Sequence, residues 1–99
     1  MGNSFKSAHF LMESRWADAA RGDADALYDL GMAYSTGSGG VEVDLIEAHK
    51  WFNLAALNGS EEATMCRADI SDEMTAREIA EAQRQARAWL QAVEQRRAA

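Results

Sequence analysis

Proline is absent from this 99-residue chain, and its valines are only three: Val41, Val43 and Val93. Proline is the strongest helix breaker, whereas alanine, the best helix former, is the commonest residue here. The length corresponds to one domain by ordinary size limits. We therefore predict a single all-α domain that spans residues 1–99.

Clustered basic residues and long apolar runs are also missing. The net charge is −6, and no Lys or Arg lies between Gly22 and His49. Because the phosphates of nucleic acids are bound by clustered Lys and Arg, we expect no nucleic-acid partner. No apolar run approaches the roughly 20 residues that span a bilayer, and the N-terminus lacks the apolar core of a signal peptide. We expect a cytoplasmic protein with no membrane partner.

The stretch without basic residues is rich in carboxylates. It contains six of them: Asp23, Asp25, Asp29, Glu42, Asp44 and Glu47. One interpretation is a solvated surface with some charge asymmetry. The other is an acidic patch that recognises a basic partner protein.

Groups of residues suited to catalysis or metal binding are not evident. His9 and His49 lie on different predicted helices, with no Cys or carboxylate at metal-ligand spacing. We expect them to be ordinary surface or boundary histidines and predict no metal site. Cys66 is the only cysteine, and we expect a buried structural thiol. We predict no catalytic residues and no cofactor, because such a role would need a convergent polar pocket that the spacings do not indicate.

Capping residues and glycines divide the chain into four helices and one short segment. The predicted caps are Asp23, Asp44 with Glu47, Ser60, and Thr75 with Glu78. The predicted helices cover about 4–21, 24–36, 44–58 and 76–97, with the short segment at 60–72. The third helix carries apolar residues on two sides, which indicates a helix between neighbours, whereas the last has one stripe. These patterns favour stacked antiparallel helical hairpins, a short α-solenoid or α/α superhelix.

A spaced pattern runs through the second and third helices. It reads Ala26-x-x-x-Leu30-Gly31-x-x-Tyr34-x-x-Gly37-x-Gly39, then Asp44-x-x-x-Ala48-x-x-Trp51-Phe52-x-x-Ala55-Ala56-x-x-Gly59-x-x-x-Ala63. This pattern resembles the Sel-one-like repeat, a relative of the tetratricopeptide repeat with a longer glycine-containing loop. The resemblance implies one full repeat at about 23–59, with the helices at 4–21 and 76–97 as caps.

The chain departs from the family pattern in two places. Gly40 is an extra residue in the loop, and the next unit is degenerate: Arg67, Ala68 and Ser71 stand where Leu, Gly and Tyr would recur. Within the full repeat, we expect that a side chain at Gly31 would keep the paired helix away. We also expect Tyr34 and Trp51 to fill the hairpin core.

The resemblance implies a non-enzymatic interaction module, an adaptor or scaffold that presents a small helical-repeat surface to another protein. The candidate surface consists of polar positions on the second helix with two residues at their border: Asp25, Asp29 and Ser35, with Tyr28 and Met32. The alternative is a self-associating structural subunit without catalytic activity. One branch of the family has paired cysteines within each repeat and has been linked to β-lactam hydrolysis. This chain has Cys66 alone and so lacks that pattern.

Phe10 is the candidate contact for self-association. The apolar stripe of the first helix is Phe5, Ala8, Met12, Trp16 and Ala19. At ~100° per residue, Phe10 lies about 140° from Phe5 around the helix. One interpretation is that Phe10 is a single exposed aromatic residue without a role, since isolated apolar residues are common on protein surfaces. The other interpretation is a homodimer that forms through the N-terminal helix.

Overall fold

Five helices make up the described part of the chain, which contains no β-strand. The structure, a computed structural model, describes the backbone of residues 3–98 and the side chains of residues 10–98. The helices are α1 (Asn3–Ala20), α2 (Ala24–Thr36), α3 (Leu45–Leu57), α4 (Glu61–Ser71) and α5 (Ala76–Ala98). The predicted all-α fold is confirmed. The predicted number of helices is wrong, because the segment after Ser60 is a helix of 11 residues.

The helix ends follow their capping residues. Asp23 Oδ1 accepts hydrogen bonds from the backbone N–H groups of Asp25 and Ala26, at 2.9 and 3.1 Å. At the other end of α2, Gly37 adopts the left-handed conformation with φ 73°. At the start of α4, Ser60 Oγ accepts a hydrogen bond from the backbone N–H of Ala63 at 3.2 Å. These side chains satisfy donors that have no partner within the helix, so each helix begins where its cap predicts.

Only the second of the two predicted capping boxes is reciprocal. Thr75 Oγ1 accepts from the Glu78 N–H at 3.1 Å, and Glu78 Oε1 accepts from the Thr75 N–H at 2.8 Å. In the first, Asp44 Oδ1 accepts from the Glu47 N–H at 3.1 Å. The Asp44 N–H, however, donates to the carbonyl of Tyr34 at 2.9 Å. The start of α3 is therefore tied to the last turns of α2.

Helix α3 is the centre of the molecule. It packs against α2, α4 and α5, while α1 packs against α2. The buried apolar residues of α3 lie on more than one side: Ala48, Trp51, Phe52, Leu54 and Ala55. The predicted position of the third helix between neighbours is confirmed. Leu57 is 65% exposed, because it lies in the last turn, where α3 ends.

Gly31 allows the ring of Phe52 to lie directly on α2. A Cβ atom at Gly31 would stand 2.4 Å from Phe52 Cδ1, a distance that real side chains do not adopt. The prediction that a side chain here would keep the paired helix away is therefore confirmed. Tyr28 lies against the same ring, with the two ring centroids 5.8 Å apart.

Four aromatic rings from four helices form a continuous aromatic row through the core: Tyr34, Trp16, Trp51 and Trp89. The ring of Trp16 lies 6.4 Å from that of Tyr34 and 5.1 Å from that of Trp51. Trp51 in turn lies 4.9 Å from Trp89, at an interplanar angle of 80°. Edge-to-face pairs of this kind contribute about 0.5–1.5 kcal/mol each beyond the burial of their area. The row joins α1 and α5 to the α2–α3 hairpin.

The loop between α2 and α3 packs on α1. Gly39 has φ 68°, and a Cβ atom there would stand 3.0 Å from Met12 Sδ. The extra loop residue, Gly40, also has a positive φ, of 86°. Because these backbone angles are strained for residues with a side chain, glycine suits both positions.

The last two helices pack on α3 rather than on each other. The apolar stripe of α5 faces inward, with Ala82 and Ala86 buried and Trp89 and Leu90 partly buried, which confirms the predicted stripe. Near its end, the Arg97 Nη2 donates to the carbonyl of Arg21 at 3.3 Å. In α4, only Ala63 is buried among the described residues. Helix α4 is thus attached mainly to one neighbour, α3, and contributes one fully buried side chain to the core.

Candidate partner-binding surface on α2 and α4

Tyr28 lies where α2 faces α4. Its ring packs on Phe52, and Cys66 of α4 lies near its hydroxyl. Burial raises the pKa of Tyr28, and Cys66 and the nearby carboxylates of Glu62 and Asp29 raise it further. The phenol is therefore neutral at physiological pH, and one carboxylate from each of the two helices lies near it.

The starts of α2 and α4 form an open acidic cleft. Its lining is mostly polar: Ala24, Asp25, Asn58, Gly59, Ser60, Glu61 and Glu62. The carboxylates lie in the first turns of their helices, where negative charge also stabilises the helix dipole. We define the α2/α4 surface by the exposed or partly exposed residues of both helices: Asp25, Tyr28, Asp29, Glu61, Glu62 and Cys66.

Helix α4 repeats the arrangement of α2. Asp25 and Tyr28 stand one turn apart on α2, and Glu62 and Met65 take the equivalent positions on α4. In both helices a buried alanine directly follows the acidic residue. Met65 is 69% exposed. Each of the two helices therefore presents a carboxylate followed one turn later by a large side chain.

Asp29 is not a free carboxylate. Its Oδ2 lies 3.9 Å from Arg15 Nε on α1, and the two side chains are 47% and 33% exposed. An ion pair this exposed contributes about 0–1 kcal/mol. The sequence placed Asp29 among the partner contacts, and the structure adds a neighbouring cation that reduces its attraction for a basic group.

Ser35 and Met32 lie further along α2. Ser35 Oγ donates to the carbonyl of Met32 at 3.1 Å, within the same helix. The Met32 side chain is partly buried and packs against the core. Of the five candidate residues on α2, the structure therefore brings Asp25, Tyr28 and Asp29 into the α2/α4 surface.

Phe10 lies on the outer side of α1. It is 69% exposed and Leu11 is 52% exposed, whereas Met12 and Ala19 are buried. The expected stripe on α1 is therefore present where its side chains are described, and Phe5 and Ala8 lie outside those residues. Phe10 thus belongs to a second surface, on another helix than the α2/α4 surface.

The residues that α4 contributes were missed from the sequence. The segment was expected to be short, so Glu61 and Glu62 were not considered, although a Ser60 cap followed by two acidic residues is typical of a helix start. Cys66 was expected to be buried, which is wrong. It is partly exposed, packs against the core and lies near Tyr28.

The expectation that His49 lies at the surface or at a boundary is also wrong. It is 3% exposed, and its Nδ1 has no hydrogen-bond partner among the described residues. Burial lowers the pKa of His49, and the charge of Arg67 on α4 lowers it further. Within the described residues, no group of three or more His, Cys, Asp or Glu side chains is arranged to hold a metal ion.

Comparison with known proteins assigns the central hairpin to a family. Residues 24–60 match the family model of the Sel1 repeat, from the start of α2 to the cap of α4. Neither a curated protein nor a solved structure matches the chain.

None of the described helices is long and apolar enough to cross a membrane. Sel1 repeats form superhelices of helical hairpins and generally mediate protein–protein interaction. With its glycine loop, its Gly31–Phe52 contact and its buried Trp51, the chain carries a Sel1 repeat at residues 24–60.

Proposed function

We propose that the protein is an adaptor that binds a basic segment of a partner protein on the α2/α4 surface. The observation that carries the proposal is the position of Tyr28, a partly exposed aromatic residue that has the carboxylates of Asp29 and Glu62 near enough to raise the pKa of its phenol. The two carboxylates come from different helices, so this arrangement depends on the fold. The net charge of −6 and the interaction role of Sel1 repeats support it further.

The α2/α4 surface suits the chemistry of Lys and Arg side chains. A cation over the ring of Tyr28 would be attracted by the ring quadrupole, and the flanking carboxylates would accept its charge-assisted hydrogen bonds. Each solvent-exposed charge pair contributes about 0–1 kcal/mol, so the charges mainly raise the association rate. We therefore expect a modest affinity that depends strongly on ionic strength.

The test compares three baits in affinity capture followed by mass spectrometry. The first is the wild type, the second is Asp25→Lys/Glu62→Lys, and the control is Glu42→Lys/Glu94→Lys, which changes the net charge equally but lies outside the α2/α4 surface. We leave Asp29 unchanged, because a lysine there would stand beside Arg15.

We expect the wild type and the control to retain a common protein that the α2/α4 double variant loses. Its binding, measured with the purified partner, should weaken steeply as salt rises. Circular dichroism of all three baits checks that they remain equally helical. Equal capture by all three baits, or binding that is insensitive to salt, would contradict the proposal.

A second candidate function, self-association, is favoured by the exposed apolar side of α1. Phe10 and Leu11 stand next to each other there, 69% and 52% exposed. We propose that two copies could pair through this face, which is the commonest closed assembly. Sedimentation of the wild type and of Phe10→Glu at tens of micromolar tests it. A dimer that the variant abolishes supports pairing, whereas a monomeric wild type leaves Phe10 as a contact for a different protein.

The outer helices have a supporting part in either function. We propose that α1 and α5 act as caps of the Sel1 repeat within a single domain. Trp16 and Trp89, one from each of these helices, lie against Trp51 of the repeat. A repeat hairpin without such neighbours would leave this apolar surface in water.

A further inference from the structure

We propose that protonation of His49 releases α4 from α3. His49 lies on the side of α3 that faces α4: Asn53, one turn further along, accepts a hydrogen bond from Arg67 Nη1 of α4 at 2.6 Å. The His49 side chain is 3% exposed, and its Nδ1 is buried without a hydrogen-bond partner among the described residues. Since a protonated imidazole is a cation with two N–H donors, a proton added here would be buried without compensation.

The charges around His49 increase this cost. From α4, the Arg67 guanidinium places a like charge near the ring, and together with burial it lowers the pKa of His49, while a backbone hydrogen bond raises it. From α2, Tyr28 packs on Phe52, and its phenol is neutral in the relevant range. From α5, the buried residues are alanines, Ala82 and Ala86. Arg67 is thus the charged group that acts on His49.

Helix α4 is the element that can yield. Only Ala63 of its described residues is buried, and it packs mainly on α3, with little contact to α2 or α5. The remaining core is held by the aromatic row, in which Trp51 joins α1, α3 and α5. Elements with few buried contacts open at a lower free-energy cost than the whole domain. Protonation should therefore detach α4 and leave the rest of the fold in place.

The direction of the pH effect follows from linkage. When α4 is released, His49 meets water and regains an ordinary pKa near ~6.5, so the open state binds the proton more tightly than the closed state. Opening therefore becomes easier as the pH falls below about 6.5. Between pH ~7.5 and ~5.5 the opening constant can rise at most about tenfold, the limit for a single histidine. Most carboxylates stay ionised over this interval.

Release of α4 would also affect the proposed function, on which this consequence rests. Glu61, Glu62 and Cys66 would move away from Tyr28, so mild acid would divide the α2/α4 surface. The release itself does not depend on any partner. We therefore test it on the free protein, where its failure is separate from a failure of the proposed function.

The experiment is amide hydrogen exchange of the full chain by NMR at pH ~7.5 and ~5.5, with protection factors that correct for intrinsic exchange. We expect protection in α4 to fall several-fold at the lower pH, within the tenfold limit, while α2 and α3 keep theirs. Equal protection of α4 at the two values would overturn the proposal. A parallel loss in all helices would overturn it as well, because the whole fold would then respond.

Three variants assign the effect. His49→Leu should abolish the pH dependence of α4, and Arg67→Gln, which keeps a donor for Asn53 but removes the charge, should reduce it. His9→Leu, which changes the other histidine of the chain, should behave as the wild type. Persistence in His49→Leu, or loss in His9→Leu, would overturn the proposal. Should His49→Leu fail to fold, NMR titration of the wild-type protein decides: His49 must titrate below the ~6.5 of an unperturbed histidine, and a midpoint at or above that value would refute the mechanism.

Discussion

Replacing Trp51 with alanine would remove the central ring of the aromatic row. Trp51 is 1% exposed and makes edge-to-face contacts with Trp16 at 5.1 Å and with Trp89 at 4.9 Å. Its Nε1–H also donates to Glu47 Oε2 at 2.9 Å. Loss of a buried Trp typically costs about 3–5 kcal/mol through lost burial and the cavity left behind. The two ring contacts, at about 0.5–1.5 kcal/mol each, make the upper part of that range the expected one.

A cost of this size compares with the whole stability of the protein. Natural proteins of any size are stable by about 5–15 kcal/mol, so Trp51→Ala should remove about a quarter of the stability or more, and all of it at the lower end of that range. Urea denaturation followed by far-UV circular dichroism measures the change. Trp51→Phe keeps an aromatic ring but loses the bond to Glu47, and we expect an intermediate loss of about 1–3 kcal/mol. Met65→Ala, at a 69% exposed position, serves as the surface control. A loss below about 1 kcal/mol for Trp51→Ala would refute the packing argument.

Three further changes test other parts of the structure. Gly31→Leu should cost roughly 2–4 kcal/mol, because even its Cβ would overlap the ring of Phe52 at 2.4 Å; a melting temperature equal to the wild type would show that α2 and α3 are further apart. The free energy of unfolding should be smaller at pH ~5.5 than at pH ~7.5, because the pKa of His49 is lowered in the folded protein and the unfolded chain therefore binds more protons. If His49→Leu shows the same pH dependence of stability, other groups cause it. Arg84 holds the pKa of Glu81 at about 2 through hydrogen bonds, yet the Glu81 side chain is still 36% exposed to solvent, which screens the pair. Glu81→Gln should therefore leave thermal unfolding unchanged, and a clear destabilisation would indicate a larger role for this pair.

The sequence was most informative about features that depend on near neighbours in the chain. Asp23, Ser60 and Thr75 act as caps through bonds to residues two or three positions away, so their residue types were enough to place the helix starts. The glycine loop and the Gly31–Phe52 spacing likewise predicted the hairpin, since a repeat combines helix periodicity with backbone angles that favour glycine.

Contacts between helices were decided by the tertiary structure. Glu47 was expected to close a capping box, but its carboxylate binds the indole of Trp51 instead. Asp29 has Arg15 of another helix as its neighbour, at 3.9 Å. The Asp29–Arg15 pairing could not be predicted from local spacing, because it depends on how two helices are placed against each other. Glu47 and Trp51 stand one turn apart on α3, and the tertiary contribution there is that the Asp44 N–H donates to Tyr34 of α2 and not to Glu47.

The same reason explains why the candidate surface and the buried histidine were only partly foreseen. Asp25, Tyr28 and Asp29 were identified from α2 alone, whereas their neighbours on α4 required the position of a helix that the sequence indicated only as a short segment. His49 looked like a boundary residue because its own helix carries polar residues beside it. The sequence by itself determined the helices, their caps and the repeat hairpin; the packing of α4 on α3 decided that His49 is buried and that Tyr28 of α2 lies near Glu62 and Cys66 of α4.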